Sequence, residues 1–487
     1  MKSQEFLLKK LHISWLIAVV SAGVLLGITL ESKLSGSLFM SYGWLAAAGM
    51  LLVLVLWKRF LFLVILAVIA GGLIGLWRGS FERVGLTQYE PLIGKTVTVT
   101  GVVSEDVAYS DGDNAKIKLD HITANGHTLN GQVWLSTNAR VDIKRSDNVT
   151  VTGFMKEGFG NFAASMSRAK IIKVERADHG DDARELRDNF DDKVRTAVKE
   201  PQASLGVGFL TGQRSSLPSD LDEELKIVGL THVVVASGYN LTILVRFARR
   251  LFAKISKFLA AASAGGMIVG FMLVTGFSPS MSRAGLVAGL SLLAWYYGRT
   301  IHPVVLLSFV AAITALINPF FVWGDIGWYL SFAAFAGVIM LAPLIQSYFW
   351  GDQKKPGAIR QIFIDTTSAQ LATMPIMAFA FGHYSLYALP ANLLVLPFVP
   401  FAMLLTFIAG IVAWLIPPLA IIAGWPAQAL LTYMTKTVDV TANLPSAQGD
   451  LTLSPLLMGC GYALLLLIGF YLRRKTQHKF RTDSLVE

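Results

Sequence analysis

A histidine, a serine and an asparagine lie close together in an otherwise apolar segment, THVVVASGYNLTILV (residues 231–245). His232 has the chemistry of a base and Ser237 that of a nucleophile, but Ser237 lacks the G-x-S-x-G context of an elbow nucleophile. In hydrocarbon, each unsatisfied polar group costs several kcal/mol. We therefore expect the segment either to lie inside a protein bundle or beside water, or not to cross the membrane. A hydrogen-bonded structural His232 and a simple kink at Ser237-Gly238 are the competing interpretations.

Four further polar residues lie in apolar stretches of the C-terminal half. Ionisable or amide side chains in membrane segments usually face a bundle interior or an aqueous cavity. The competing interpretation is that the charged pair lies at the membrane surface or forms a structural ion pair. Prolines in the same region indicate broken helices, which are tolerated only where protein or water covers the freed backbone groups. Together these features predict a transport path without naming its cargo. The four residues are Arg283, Asp325, Gln370 and Asn392.

Recognisable enzyme chemistry is absent from the sequence. There is no P-loop, and the 8 histidines form no HExxH or HxHxDH cluster. Cys460 is the single cysteine, which excludes an intramolecular disulfide and a multi-thiolate metal site. We expect no catalytic activity, no metal and no cofactor.

The composition is that of a polytopic membrane protein. Of the 487 residues 54% are hydrophobic and only 15% are charged, whereas soluble domains carry about 25% charged residues. The net charge of +10 does not come from the long polar stretch, because residues 78–200 hold 18 Lys and Arg against 19 Asp and Glu. The excess lies in the apolar regions, where basic loops mostly report topology. Charge alone therefore does not indicate nucleic-acid binding.

The apolar runs and the basic loops between them predict the topology. Three runs come first (residues 13–30, 38–57 and 60–77), with Lys58 and Arg59 between the second and the third. Basic loops favour the cytoplasmic side, so we expect both termini in the cytoplasm and the stretch after residue 77 outside it. Later runs bring the expected total to about 10 to 12 membrane segments, some broken or re-entrant. The predicted cellular location of the protein is the cytoplasmic membrane.

Between the first runs and the later ones the pattern changes to β. Residues 95–103, 115–122, 127–136, 147–155 and 169–176 read as five strands, with an Asn125-Gly126 hairpin turn. Five short strands suit an OB-type barrel, and a β-sandwich fragment is the alternative. The predicted organisation is a three-span region (1–77), an extracytoplasmic OB-like domain (78–176), a charged linker helix (177–202), a membrane domain (203–472) and a basic cytoplasmic tail (473–487).

The run GFLTGQRSSLPSDLDEELKIVGLTHVVVASGYNLTIL (residues 208–244) resembles the signature of the ComEC family, the competence-protein DNA channels of naturally transformable bacteria. That family has a Leu-Thr-Gly-polar-Arg stretch before a segment of the form His-Leu-Leu-Ala-Ile-Ser-Gly-Leu-His-Val. Three later blocks, around PSMSRAG, NPFFVWGDIGWYLSF and QLATMPIMAFAFGHYSLYALPANLLVLPFVP, resemble the family in the same order. The matching residues of the first run are Thr211, Gly212, Arg214, His232, Ser237 and Gly238.

This resemblance implies a channel that carries one strand of DNA across the cytoplasmic membrane, with the OB-like domain meeting DNA outside. Barrels of this type track phosphates with a basic groove and stack bases on aromatic side chains. Core packing is the alternative for Trp134 and for Phe154, a further aromatic candidate. The family also implies a DNA receptor and a cytoplasmic helicase or translocase as partners. The candidate DNA-binding residues are Trp134, Lys144, Arg145, Lys156, Phe159, Phe162, Arg168, Lys170 and Lys173.

The chain departs from the family pattern in three ways. We expect the C-terminal metallo-β-lactamase-like domain of many members to be missing, so that a separate polypeptide would supply any nuclease. Some family members have a disulfide in the external domain, whereas the corresponding region of this chain contains no cysteine. The family's histidine after Ser-Gly-Leu is Asn240 here. We predict a single-stranded DNA uptake channel without enzymatic activity; the alternatives are a transporter of another polar or lipid-linked substrate, and a membrane scaffold with an external binding barrel.

Overall fold

The computed structural model describes residues 10, 12–34, 37–110, 114–138, 142–176, 181–213, 217–234, 237–351 and 357–477. It consists of a helical bundle with a β-barrel inserted after the third long helix. The helices are α1 (Ile13–Glu31), α2 (Tyr42–Lys58), α3 (Val64–Leu86), α4 (Asp182–Ala197), α5 (Gln202–Thr211), α6 (Ser219–Ile227), α7 (Thr231–Val234), α8 (Gly238–Phe252), α9 (Lys257–Thr275), α10 (Pro279–Tyr296), α11 (Pro303–Ile317), α12 (Phe320–Gly324), α13 (Ile326–Ala336), α14 (Ala342–Trp350), α15 (Ala358–Ala380), α16 (Ala388–Val395), α17 (Val399–Leu415), α18 (Ala420–Ala442) and α19 (Pro455–Thr476). The strands are β1 (Thr96–Val103), β2 (Ala108–Ser110), β3 (Asn114–Ala124), β4 (His127–Leu129), β5 (Val133–Thr137), β6 (Asn148–Glu157), β7 (Ala164–Glu175), β8 (His383–Ser385) and β9 (Gln448–Asp450).

Six helical stretches in the described part of the chain are long and apolar enough to cross a membrane. Two shorter apolar helices, α2 and α11, accompany them. A mostly helical chain with several helices of membrane-spanning length is therefore confirmed, while the membrane placement, the larger predicted count of 10 to 12 segments and the predicted sidedness stay predictions. The six stretches are Ile13–Glu31, Leu61–Leu86, Lys257–Thr275, Ile326–Trp350, Ala388–Leu415 and Pro455–Thr476.

Helices α1 and α3 pack with their backbones in close contact. A Cβ added to Gly27 would collide with the carbonyl oxygen of Gly72, and one added to Gly75 would collide with that of Val24. Small residues spaced four apart permit this approach between apolar helices, where packing rather than water exclusion drives association. The two helices form the support from which the chain enters the barrel.

The inserted domain is a closed five-stranded barrel. Strand β1 pairs with β3 and β6, β3 pairs with β5, β6 pairs with β7, and a parallel β5–β7 pair closes the sheet. Its interior holds fully buried apolar side chains such as Ile117, Leu135 and Val151. The short strands β2 and β4 add to β3 outside the ring. The predicted turn is confirmed, because Asn125 and Gly126 both have positive φ (51° and 79°) between β3 and β4.

One predicted strand is wrong in detail. The stretch 127–136 is split into β4 and β5, because Gly131 between them has φ 95°, which breaks the extended ladder. The register of β5 is consequently set by its own pairing with β3, in which Trp134 lies opposite Lys118.

Ion pairs fix the barrel to the helical bundle. Arg145 Nε lies 2.6 Å from Asp181 Oδ2 before α4, and the same guanidinium donates to the carbonyl oxygens of Leu273 and Val274 at the end of α9. Burial opposes ionisation of Asp181, but the hydrogen bonds from Arg145, Arg184 and Ser146 hold its pKa below the ordinary value. The barrel is therefore held at one end of the bundle, beside α4 and α9.

Candidate functional site

The Leu-Thr-Gly stretch ends helix α5 and contacts α4. Thr211 is buried, and its hydroxyl donates to Val207 O (3.0 Å) and to Asp191 Oδ2 (3.3 Å). Gly212 takes φ 72° at the helix end, a conformation that favours glycine. Arg214 lies outside the described residues, so its predicted role is untested. The motif thus positions a helix end against a buried carboxylate.

The segment 231–245 is not one continuous helix, because the backbone of Ser237 is extended. Helix α7 ends at Val234, and Ser237 begins α8 as its N-cap, with Oγ accepting from Asn240 N at 3.4 Å. A Cβ on Gly238 would lie 3.2 Å from Ala284 Cβ, so glycine allows α8 to approach α10. His232 is exposed on α7. The Ser-Gly pair therefore has a structural explanation.

Asn240 joins three separate elements. Its side chain is fully buried, and Nδ2 donates to Phe209 O of α5 (3.1 Å) and to Val233 O of α7 (3.2 Å). Both acceptors are backbone carbonyls near helix ends, which lack partners of their own. Asn240, which stands where the family has a histidine, therefore forms a hydrogen-bonded junction between α5, α7 and α8.

Replacing Asn240 with leucine is expected to lower the stability of the protein by about 2 to 5 kcal/mol, because two buried carbonyls lose their donor. Thr242→Val on the same helix removes only the bond to Gly238 O, so we expect a change of less than about 1 kcal/mol. Thermal unfolding of the purified protein in detergent measures both. Equal losses in the two variants would contradict the junction role of Asn240.

A corner between α12 and α13 contains Asp325, and Arg283 lies beside it. Asp325 Oδ1 accepts from Trp328 N (2.9 Å) and so caps α13, while Arg283 Nη2 donates to Gly327 O (3.3 Å). Arg283 is only 5% exposed, and its Nε and Nη1 have no hydrogen-bond partner in the part of the chain that the structure describes. A buried guanidinium with free donors is costly unless something else uses it. This arrangement makes Arg283 a candidate for contact with an anionic cargo.

Gln370 and Asn392 lie on other helices, α15 and α16. Asn392 is 1% exposed and its Oδ1 has no partner among the described residues, whereas Gln370 is half-buried. No hydrogen bond in the described ranges joins either amide to Arg283 or Asp325. The four predicted polar residues therefore do not form one hydrogen-bonded cluster.

An aromatic and basic surface covers one face of the barrel. Lys118, Trp134, Ser165 and Lys156 lie in register across β3, β5, β7 and β6. The ring of Phe159, 52% exposed in the β6–β7 loop, lies 5.4 Å from that of Trp134. We name Lys116, Lys118, Trp134, Lys156, Phe159 and Arg168 the barrel face.

The predicted DNA-binding residues divide into two groups. Exposed side chains at Lys156, Phe159, Arg168 and Lys170, with half-buried Trp134, are available to a ligand. Lys144 and Lys173 are ion-paired with Asp188 and Glu175. Two predictions need correction. Arg145 is 5% exposed and is bonded to Asp181 and α9, and Phe162 is 8% exposed beneath Phe159; both have structural contacts rather than an open surface.

Two lysines of the barrel face were not predicted. Lys116 and Lys118 point outward from β3, where they alternate with buried Ala115, Ile117 and Leu119. The alternation in AKIKL was the available signal, because every second residue of a strand faces outward.

The barrel face borders the corner that contains Asp325. A Cβ on Gly324 would lie 3.7 Å from Gly160 Cα, so the β6–β7 loop lies directly against the end of α12. Phe320 of α12 belongs to the apolar core of the barrel. Exposed Phe159 is therefore one residue from the contact with the membrane domain. In the described ranges no three His, Cys, Asp or Glu side chains cluster as a metal site requires.

Comparisons with known proteins agree with the residue patterns. The family model described as Competence protein matches residues 209–476, more than half of the chain. ComE operon protein 3 of Bacillus subtilis (strain 168) is 26% identical over 221 residues, which are 43% of this chain and 27% of that protein. The match thus spans about a quarter of that relative. No solved structure matches.

Proposed function

We propose that this chain, which belongs to the ComEC family of competence proteins, carries one strand of incoming DNA across the cytoplasmic membrane. The observation that carries the proposal is the continuity between the barrel face and the corner at Asp325. The cations and the exposed aromatic ring of the barrel face lie next to polar residues of the membrane domain. A single strand needs such a surface, because its phosphates and its bases are both accessible.

We assign the barrel to the OB type. The ring order β1–β3–β5–β7–β6, with its parallel β5–β7 closure, supports this assignment. In such barrels oligonucleotides bind on the second and third strands and on the loop between the fourth and fifth. The corresponding elements here are β3, β5 and the β6–β7 loop, which carry the barrel face.

The barrel face offers complementary chemistry to the two parts of a strand. Lys116, Lys156 and Arg168 would neutralise phosphates, and Phe159, supported by Trp134, would stack a base. Beyond the loop, Arg283 would offer to a phosphate leaving the barrel the two guanidinium nitrogens that have no acceptor among the described residues. Asp325 would limit how tightly that phosphate is held, because a like charge opposes binding.

The proposed orientation places both termini in the cytoplasm and the barrel outside it. The basic loop at Lys58 and Arg59 and the basic end of α19 support this orientation under the positive-inside rule. A DNA receptor would deliver the duplex, a nuclease would remove the other strand, and a cytoplasmic helicase or translocase would supply energy, because the sequence contains no P-loop.

Salt-dependent binding of a labelled oligonucleotide to the purified full-length protein tests this function. We expect affinity to fall with a log–log slope of about −0.7 per phosphate contacted. The double variant Lys116→Ala, Lys156→Ala should flatten the slope by about 1.4, while Lys254→Ala after α8 should not change it. Absence of binding at low salt would instead support a transporter of another substrate or a scaffold.

A further inference from the structure

Helix α4 is amphipathic in a way that requires water on one side. Its packed side presents Phe190 and Val194, which occupy the space that a Cβ on Gly410 of α17 would need. The opposite side is exposed and mostly polar, with Leu186 as an exposed apolar residue among Glu185, Asn189, Asp192, Lys193 and Thr196. Such a row of polar groups is not stable against hydrocarbon. The exposed side of α4 therefore faces water or another polar surface.

Asp191 lies beneath this polar side and is almost fully enclosed. It is 3% exposed; Oδ2 accepts one hydrogen bond from Thr211, and Oδ1 has no partner in the described part of the chain. A buried ionised carboxylate normally has several donors or a cation in contact. Within the described ranges Asp191 has one long hydrogen bond only.

The cations nearest to Asp191 are engaged by other acids. Arg187 donates to Asp106 of the barrel (2.5 and 3.1 Å) and to Asp188 (2.8 and 3.0 Å), and Arg195 is paired with Glu200. The barrel further contributes Lys144, whose Nζ lies 3.9 Å from Asp188.

The helices packed around α4 bring no further charge to this region. Residues 366–435, which include α17 and the part of α18 nearest to α4, contain no Asp, Glu, Lys or Arg, and α5 contains none either. Helix α9 carries only Lys257, at its first residue. The surroundings therefore favour the neutral acid. Burial raises the pKa of Asp191 to about 7, and Asp188 adds to the rise, while Arg187, Thr211 and Arg195 oppose it.

We propose that Asp191 is a proton-binding site, which exchanges its proton with water along the exposed side of α4. The proton binds to a carboxylate oxygen and leaves it as hydronium, so that no other reactant is required. Release leaves a buried negative charge one turn from Arg187, where it competes with Asp106 for the same guanidinium. The proton state of Asp191 is thereby coupled to the attachment of the barrel. This inference does not depend on which cargo the membrane domain carries.

Thermal unfolding of full-length Asp191→Asn and Asp192→Asn, compared with the unchanged protein at about pH 5.5 and about pH 8.5, tests the proposal. A carboxyl whose folded pKa lies above its unfolded value loses stability as pH rises between the two. Asparagine removes that loss, so the Tm of Asp191→Asn relative to the unchanged protein should be several degrees higher at the upper pH than at the lower. Asp192 is exposed, so the Tm of Asp192→Asn relative to the unchanged protein should be the same at both pH values.

A lower relative Tm of Asp191→Asn at the upper pH would show an ionised, stabilising Asp191 and overturn the proposal. If the variant does not fold, infrared titration of the unchanged protein decides. A protonated-carboxyl band that disappears near pH 7 is expected, and loss of every such band below about pH 6 would overturn the proposal. Neither measurement involves DNA, so failure here is distinct from failure of the proposed uptake function.

Discussion

Single-stranded DNA should bind the Phe159→Ala protein about 10- to 100-fold more weakly than the unchanged protein, because one stacked base contributes about 1 to 3 kcal/mol. Phe159 is the most exposed ring of the barrel face, and its edge contact with Trp134 holds it in place. The loss should persist at high salt, since stacking involves no counterion release. Fluorescence anisotropy of a labelled oligonucleotide measures it.

Two further substitutions separate stacking from other effects. Phe159→Trp retains an aromatic surface and should bind within a few-fold of the unchanged protein. Tyr297, 72% exposed, follows the end of α10 that is farther from Arg283 and lies outside the barrel, so Tyr297→Ala should change affinity by less than about 2-fold. Equal weakening by Tyr297→Ala and Phe159→Ala would contradict the assignment of the barrel face.

Transformation should fall by at least about 100-fold when Arg283 is replaced by alanine, which corresponds to about 3 kcal/mol. Two of its guanidinium nitrogens have no acceptor in the described part of the chain, and the side chain lies beside the corner that the β6–β7 loop touches. Loss of the cation leaves Asp325 as the dominant charge at the corner, where it would repel a phosphate. Colony counts after exposure to marked DNA measure the effect.

Arg299→Ala is the matched control, because Arg299 is exposed after the other end of α10. It should transform normally. Arg283→Lys keeps the charge without the planar fork and should recover part of the activity. Membrane levels of each protein must be measured alongside. Normal transformation by a correctly inserted Arg283→Ala protein would remove Arg283 from the DNA path.

Local sequence signals predicted local structure well. Asn125-Gly126 predicted a hairpin turn, and both residues have positive φ. A kink at Ser237-Gly238 was one of the competing interpretations, and Ser237 is the N-cap of α8. Both features depend on neighbours within a few residues. The alternation of Val and Thr likewise indicated β1. Strand periodicity did not reveal that Gly131 divides one predicted strand, since the break depends on how β5 pairs with β3 and β7.

Long-range contacts explain what the sequence did not reveal. Arg145 reads as a surface cation in a polar stretch, yet its partners include carbonyls of Leu273 and Val274, more than a hundred residues away. Asp191 reads as one charge among many on α4, yet in the folded chain it is buried and hydrogen-bonded to Thr211 of α5. Burial of an ionisable group depends on the assembled bundle, so periodicity alone cannot distinguish Asp191 from exposed Asp192.

Whether this chain is the membrane path for DNA is decided by following labelled DNA in a transformable host that lacks the gene. We expect label to bind at the cell surface but not to reach the cytoplasm, with delivery restored by the unchanged gene and not by Arg283→Ala. Cytoplasmic label at the normal level in the deletion strain would contradict the proposed function.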